Sequence, residues 1–280
     1  MSSTRREFNL PSTAQERARA WLDGPHPVTV APRPASTVLL VRDGEQGVEV
    51  FMLRRRTTMA FGAGALVFPG GGVEPRDGDE EIPWVGPAPE SWARRMGTSV
   101  VGAQSYVCAA VRETFEECGV LLAGPAGQTT LYPPSSGAER LREQERLVTG
   151  EQSLAHLLRR RGFVLRSDLL RPWAHWVTPL FEPRRYDTRF FLAAVPPGQE
   201  AVHVLDGEAD ASAWWSADQV LERCRRGEIL LMPPTLVCLE ELAAVPGVEA
   251  LLAGERRVRE ILPFLEEREE GIVLLADLPD

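Results

Sequence analysis

The sequence predicts an α+β domain, a mixed sheet held between helices, on three observations. Short runs rich in aromatic and β-branched residues recur at 36–42, 48–54, 173–179, 189–195 and 211–216. Segments of helical period lie between and after them, at 99–119, 138–147, 152–161, 218–226 and 234–244. The chain has 280 residues, 44% hydrophobic and 25% charged, which suits one generous globular domain.

Taken in order, Ser12-Thr13-Ala14-Gln15-Glu16 is a helix start, and a short amphipathic helix runs to Leu22. Pro25, Pro27, Pro32 and Pro34 then make an extended connector, so residues 1–34 stand before a domain of residues 35–280. The strands 36–42 and 48–54 flank a hairpin loop, Asp43-Gly44-Glu45-Gln46-Gly47. Val67-Phe68-Pro69-Gly70-Gly71-Gly72-Val73-Glu74 is an apolar run that breaks into glycines, which bring backbone close to a ligand. Residues 76–99 are charged and rich in Pro and Gly, predicting a loop with one short helix near 91–96. Helices 138–147 and 152–161 follow the segment 99–119. Ser216 or Ala217 starts the helix 218–226, and proline in the first turn starts 234–244. A last helix is predicted over 256–267, with Pro263 near its final turns, and no internal repeat is present.

Arg112-Glu113-Thr114-Phe115-Glu116-Glu117-Cys118-Gly119-Val120 carries the chemistry. On a helix, Arg112, Glu116, Glu113 and Glu117 share an arc of about 140°, while Val107, Val111, Thr114, Phe115 and Cys118 form the opposite stripe. Three crowded carboxylates repel one another, and a divalent cation removes that cost. Hard oxygen ligands suit Mg²⁺ or Mn²⁺. Arg112 lies one turn from Glu116, so its guanidinium orients a carboxylate rather than touching substrate. Gly119 is a favoured helix stop. The bland alternative is a solvated acidic face; the adjacent glycine turn weighs against it.

Together these residues resemble the box of the Nudix hydrolases, G-x5-E-x7-R-E-U-x-E-E-x-G-U, in which U is a bulky apolar residue. Gly71 matches its first glycine, and Arg112, Glu113, Glu116, Glu117, Gly119 and Val120 match its second half. Asp77 stands where the first Glu belongs, Thr114 replaces the first U, and residues 78–111 occupy the seven-residue spacer. A box interrupted in this way resembles the branch typified by the peroxisomal coenzyme A diphosphatase of mammals. Residues 55–68, 173–179, 184–191 and 231–235 resemble that branch too. The resemblance implies a Nudix-type α/β/α sandwich with insertions at 78–98 and 138–161. It also implies metal-dependent cleavage of a diphosphate, with Glu113, Glu116, Glu117 and the Gly71 carbonyl on the metal. Glu113 or Glu208, six residues before Trp214, is the implied base, and Asp77 is outer shell unless the insertion displaces it.

Coenzyme A or an acyl-CoA is the leading substrate on this likeness, with NADH or ADP-ribose as competitors. A non-catalytic nucleotide-sensing or protein-binding Nudix domain is the rival of another class. It is disfavoured because such domains usually lose box acids, and all three glutamates remain. A second coenzyme A signature, L-L-T-x-R-S-x3-R-x3-G-x3-F-P-G-G, survives only at Arg55, Gly64 and residues 68–71, with Ala60 at its second Arg. Arg54, Arg55, Arg56, Arg184 and Arg185 are candidate phosphate ligands, though Arg runs are usually solvated. Trp84 and Trp92 are candidates to stack on a base or cover the site, against a simpler role pinning a long loop. His175 and His203 stand isolated and are expected to be structural.

Net charge of −9 argues against a nucleic-acid polymer as partner but not against a small anionic nucleotide. The basic residues number 31 and all are Arg, which excludes Schiff-base and P-loop lysine chemistry. Cys108, Cys118, Cys224 and Cys238 lack metal-ligand spacing and suit reduced, mostly buried thiols. No secretory signal or membrane span is legible, so the expected location is the cytoplasm, and a homodimer is what the superfamily implies.

Overall fold

A computed structural model describes residues 3–10, 12–24, 29–45, 47–56, 63–79, 81–128, 137–201 and 209–279. The expected helix is α1 (Ser12–Asp23), and before it lies an unexpected strand, β1 (Ser3–Phe8). The hairpin is β2 (Arg33–Gly44) and β3 (Gly47–Arg55), closed by the Gly44–Gly47 pair. β4 (Leu66–Val67) and β5 (Gly70–Gly72) follow, so the glycine turn is itself paired, Gly71 opposite Ser36 of β2.

The insertion in the box holds α2 (Arg76–Asp79), β6 (Trp84–Val85) and α3 (Pro89–Met96), the last matching the expected short helix. α4 (Val100–Cys118) is the acidic helix. β7 (Ala123–Pro125), α5 (Gly137–Val148), α6 (Leu154–Arg161) and β8 (Phe163–Arg166) form the second insertion. The chain continues through β9 (Arg171–Val177), β10 (Tyr186–Ala194), β11 (Ala209–Ser216), α7 (Ala217–Arg225), α8 (Pro233–Ala243) and α9 (Val248–Ala253). It ends with β12 (Glu260–Ile261), β13 (Phe264–Arg268) and β14 (Gly271–Pro279).

The main sheet has the order β11-β3-β2-β10-β9-β12, with β4 on β3 and β5 on β2. It is mixed: β10 runs parallel to β2 and β12 parallel to β9, while the other pairs are antiparallel. Alternation along the strands splits the core into two layers. Val38, Leu40, Phe51, Leu53, Phe191 and Ala193 point to the side covered by α3, α4, α5 and α6. Leu39, Val41, Val50, Met52 and Leu192 point to the side covered by α1, α7, α8 and α9. The expected α/β/α sandwich is therefore the observed architecture.

Two further sheets were not foreseen. β1, β14 and β13 form one, and β6, β8 and β7 the other, which joins the box insertion to the second insertion. The helix predicted over 256–267 is corrected: this stretch holds β12 and β13. Pro263 has no N–H to give a helix and biases Leu262 toward extended backbone, and β14 supplies β13 with a partner. Pro34 lies inside β2 rather than in a connector, and its carbonyl accepts from Val73 N–H at 2.9 Å. Among the described residues no helix is long and apolar enough to cross a membrane.

Candidate active site

α4 is fixed at both ends. The Ser99 hydroxyl accepts from Gly102 N–H at 3.0 Å, capping the first turn, and Gly119 closes the last with φ 69°. In the middle, the helix is seated on the sheet where Ser36 Oγ donates to the Tyr106 carbonyl at 2.7 Å. That contact lies on one register row across the sheet, Gly71, Ser36, Arg189 and His175. Glu113 is seven residues, or two turns, further along the helix on the same face, and it meets the glycine turn.

The acidic face of α4 is covered, not solvated. Arg112 is 2% exposed and sits at its centre. Its Nε and Nη2 grip Asp77 at 3.1 and 3.0 Å, Nη1 reaches Glu113 at 2.8 Å and Glu116 at 3.1 Å, and Nη2 donates to the Gly72 carbonyl at 2.8 Å. A guanidinium has five N–H groups, and each has an acceptor here. Asp77 also accepts from Glu74 N–H at 2.8 Å. The shorter carboxylate at the first-Glu position thus holds Arg112 and shapes the turn.

Two of the glutamates, Glu113 and Glu117, meet the glycine turn directly. A Cβ on Gly71 would stand 2.5 Å from Glu113 Oε1 and 2.7 Å from its Oε2, so only glycine lets that carboxylate lie against the turn. Glu117 Oε2 accepts from Gly70 N–H at 2.8 Å, and Glu116 shares Arg112 Nη1 with Glu113. Burial raises the Glu116 pKa to about 7, Arg112 opposing and Glu113 and Glu74 adding to it. Burial likewise raises Glu113 against the pull of Arg112. Burial acts against the Arg112 charge too, but the Asp77 hydrogen bond and the fields of Glu113, Asp77 and Glu116 outweigh it. One guanidinium therefore does not satisfy the carboxylates fully.

Among the described residues no group of three or more His, Cys, Asp or Glu side chains is arranged so that it could hold a metal ion. The donor set still fits a hard divalent cation. Glu113 lies against Gly71, Glu117 against Gly70 and Glu116 beside Glu113 on Arg112, and these are the hard carboxylate oxygens that Mg²⁺ or Mn²⁺ takes.

Several sequence candidates lie elsewhere. Trp92 is corrected: it is 0% exposed, packed edge-on to Phe191 with ring centroids 5.8 Å apart, and it cannot stack on a ligand. Trp84 is half-buried against the same core and donates from Nε1 to the Pro87 carbonyl at 2.9 Å, which pins the insertion. Arg185 is also corrected. It is buried and donates to the Thr178 and Val30 carbonyls at 3.0 and 2.7 Å, fastening backbone rather than presenting a phosphate fork. Arg184 is exposed, and Arg55 is half-buried at the end of β3, opposite Ala209. Glu208, like His203, lies outside the described residues.

His175 is not isolated: its Nε2 lies 2.7 Å from Asp187 Oδ1, a partner twelve residues away that sheet pairing alone reveals. Glu74 was not singled out. It pairs with Arg76 and adds to the field on Glu113 and Glu116. Burial would raise its own pKa, but Arg76 and Arg112 lower it. Its place two residues after the last of the three glycines was the available signal. Cys108, Cys118 and Cys238 are buried free thiols and Cys224 is half-buried, as the composition suggested.

Known proteins of similar sequence and fold identify the family. The family described as NUDT19 Nudix domain matches residues 87–242. A Gallus gallus protein named acyl-coenzyme A diphosphatase NUDT19 is 29% identical over 221 residues, covering 66% of this chain and 58% of its own. The Xenopus laevis protein of the same name is 25% identical over 265 residues, covering 80% of this chain and 69% of its own. The chain thus spans less than two thirds of the Gallus gallus relative. The crystal structure of a Nudix hydrolase from Alicyclobacillus acidocaldarius superposes with a TM-score of 0.67 at 30% identity, covering 82% of this chain and 99% of that one. An acidic helix clasped to a glycine turn, on a sheet shared with that hydrolase and under a matching family description, leads to one conclusion: the chain is a Nudix hydrolase and belongs to the NUDT19 Nudix domain family.

Proposed function

We propose that the protein hydrolyses the diphosphate of coenzyme A or an acyl-CoA, using Mg²⁺ or Mn²⁺ and releasing phosphopantetheine (or its acyl form) and adenosine 3′,5′-bisphosphate. The observation that carries this reading is that Glu113 lies against Gly71 and Glu117 against Gly70, while a saturated Arg112 holds Glu116 beside Glu113. The names of the Gallus gallus and Xenopus laevis relatives direct it to coenzyme A.

In this reading the three glutamates and the Gly71 carbonyl hold the cation, which supplies positive charge against the diphosphate oxygens. Arg112 keeps the Glu113 and Glu116 carboxylates apart from solvent and in fixed rotamers. Glu113 or Glu208 takes a proton from the attacking water. The water oxygen bonds to phosphorus as the anhydride P–O bond breaks, and its electron pair leaves with the departing phosphate. Arg55 and Arg184 remain the phosphate-binding candidates. The enzyme would work in the cytoplasm as a homodimer.

A panel of coenzyme A, an acyl-CoA, NADH, ADP-ribose and diadenosine polyphosphates, each with Mg²⁺ and Mn²⁺ and with products identified by mass, tests the proposal. Coenzyme A or its acyl form should show the highest kcat/KM. Preferential cleavage of NADH or ADP-ribose would overturn the substrate, and no cleavage at all would favour a sensing domain.

A further inference from the structure

The last carbonyls of a helix have no partner inside it. In α4 that end is also the functional end, since Glu116 and Glu117 leave the backbone there. Gly119 N–H satisfies the Phe115 carbonyl at 2.9 Å. A side chain from the second insertion does the rest. Gln144 of α5 is 1% exposed, and its Nε2 donates to the Phe115 carbonyl at 2.9 Å and the Glu116 carbonyl at 3.2 Å.

One turn earlier on the same face of α5, Arg140 lies across Gly119. A Cβ at Gly119 would stand 3.3 Å from Arg140 Nε and 3.5 Å from Gln144 Nε2. The glycine therefore serves twice, as the left-handed stop and as the seat for α5. A cation beside a helix C-terminus is favourable in its own right.

α5 is itself held firmly. The buried Glu143 carboxylate accepts from Arg160 at 2.6 Å and Arg161 at 2.8 Å, tying α5 to α6. From the box side, Arg76 pairs with Glu74 and donates to the Gly150 carbonyl at 3.2 Å. The second insertion thus touches the box at both ends, at Gly119 and at Glu74.

We propose that Gln144 is a positioning residue: by occupying the Phe115 and Glu116 carbonyls it fixes the last turn of α4, and with it the direction of the Glu116 and Glu117 carboxylates toward the cation. This rests on the metal reading above and assigns the second insertion a part in it. Helix ends otherwise fray, and a small displacement of a metal-binding or reacting group costs a large factor in rate.

The test uses Gln144→Met, which keeps the volume and removes both donors, and Gln144→Glu, which keeps the shape and sets an acceptor against two acceptors. Arg140→Ala, at a half-exposed side chain, provides a variant that leaves the core intact. Calorimetric titration with Mn²⁺ alone, without nucleotide, is measured beside kcat and KM for coenzyme A. In both Gln144 variants, the Mn²⁺ dissociation constant should rise and kcat should fall, each about tenfold, with KM within about twofold. Arg140→Ala leaves both Gln144 donors in place and should keep Mn²⁺ affinity and kcat within about twofold, so it serves as the control. A lower melting temperature with Mn²⁺ affinity and kcat unchanged would make Gln144 merely structural and overturn the proposal. Should neither Gln144 variant fold, Gln144→Asn, which keeps the amide but is one methylene too short to reach both carbonyls, takes their place, and unchanged Mn²⁺ affinity and kcat in it would overturn the proposal equally. Wild-type protein that binds Mn²⁺ but leaves coenzyme A intact would sink the substrate and spare Gln144.

Discussion

Arg112 is buried among Asp77, Glu113 and Glu116, and this sets three expectations at the scale of the residue. Replacing it with Met leaves Asp77 buried and unpaired, a change that costs about 3–5 kcal/mol. Urea unfolding of Arg112→Met should show that loss, and an unchanged midpoint would mean the cluster is far wetter than described. Glu116 has a folded-state pKa of about 7, above its ordinary 4.5, so the metal-free fold holds a proton that the unfolded chain releases. The sign follows from linkage: that stability is full below about pH 4.5 and is lost as pH rises through about 7. Melts in EDTA across this window should fall for the wild type relative to Glu116→Gln; parallel curves would contradict the shift. With metal and substrate present, Glu116→Gln and Glu117→Gln should each lower kcat at least about a hundredfold with the fold intact. At this scale the acidic box was legible because Arg-Glu-x-x-Glu-Glu and Gly119 fall on adjacent turns of one helix. The partners of Arg185, His175 and Arg112 were not, because Val30, Asp187 and Asp77 are brought to them by sheet pairing and by the inserted α2.

Among elements, period and punctuation found most of the fold: the β2–β3 hairpin, α3, α4, α5, α6, α7 and α8 lie where apolar spacing put them. The failures share a cause. β12 and β13 were read as helix because charged residues between apolar ones fit either period, and only β14 decides in favour of strand. β6 is two residues long and exists because β8 pairs with it. Trp92 was a candidate either to stack on a base or to pin the insertion, and α3 turns it inward against Phe191. The structure makes it part of the core beneath α4. Trp92→Ala should therefore cost about 3–5 kcal/mol in chemical denaturation while leaving KM of the folded enzyme unchanged. A raised KM without loss of stability would restore the stacking role.

For the whole molecule, the two core layers place the carboxylate site on the α4 side and the chain ends on the other. β1 and β14 pair over residues 3–8 and 274–279, joining opposite ends of the sequence, which no local pattern announces. Removing residues 1–10 would leave β14 as a bare edge and uncover the layer that Phe8 helps fill. That truncation should lower the melting temperature and promote association on size exclusion, with Mn²⁺ affinity retained in the protein that stays monodisperse. The central claim is that three glutamates on one helix, clasped to a glycine turn, form a divalent cation site that acts on a diphosphate. Calorimetric titration of Mg²⁺ and Mn²⁺ into the wild type and a Glu113→Gln/Glu116→Gln variant, with and without coenzyme A, tests it most directly. The account predicts saturable binding to the wild type, tighter with the nucleotide, and its loss in the variant; a wild type that takes up neither ion under either condition would contradict it.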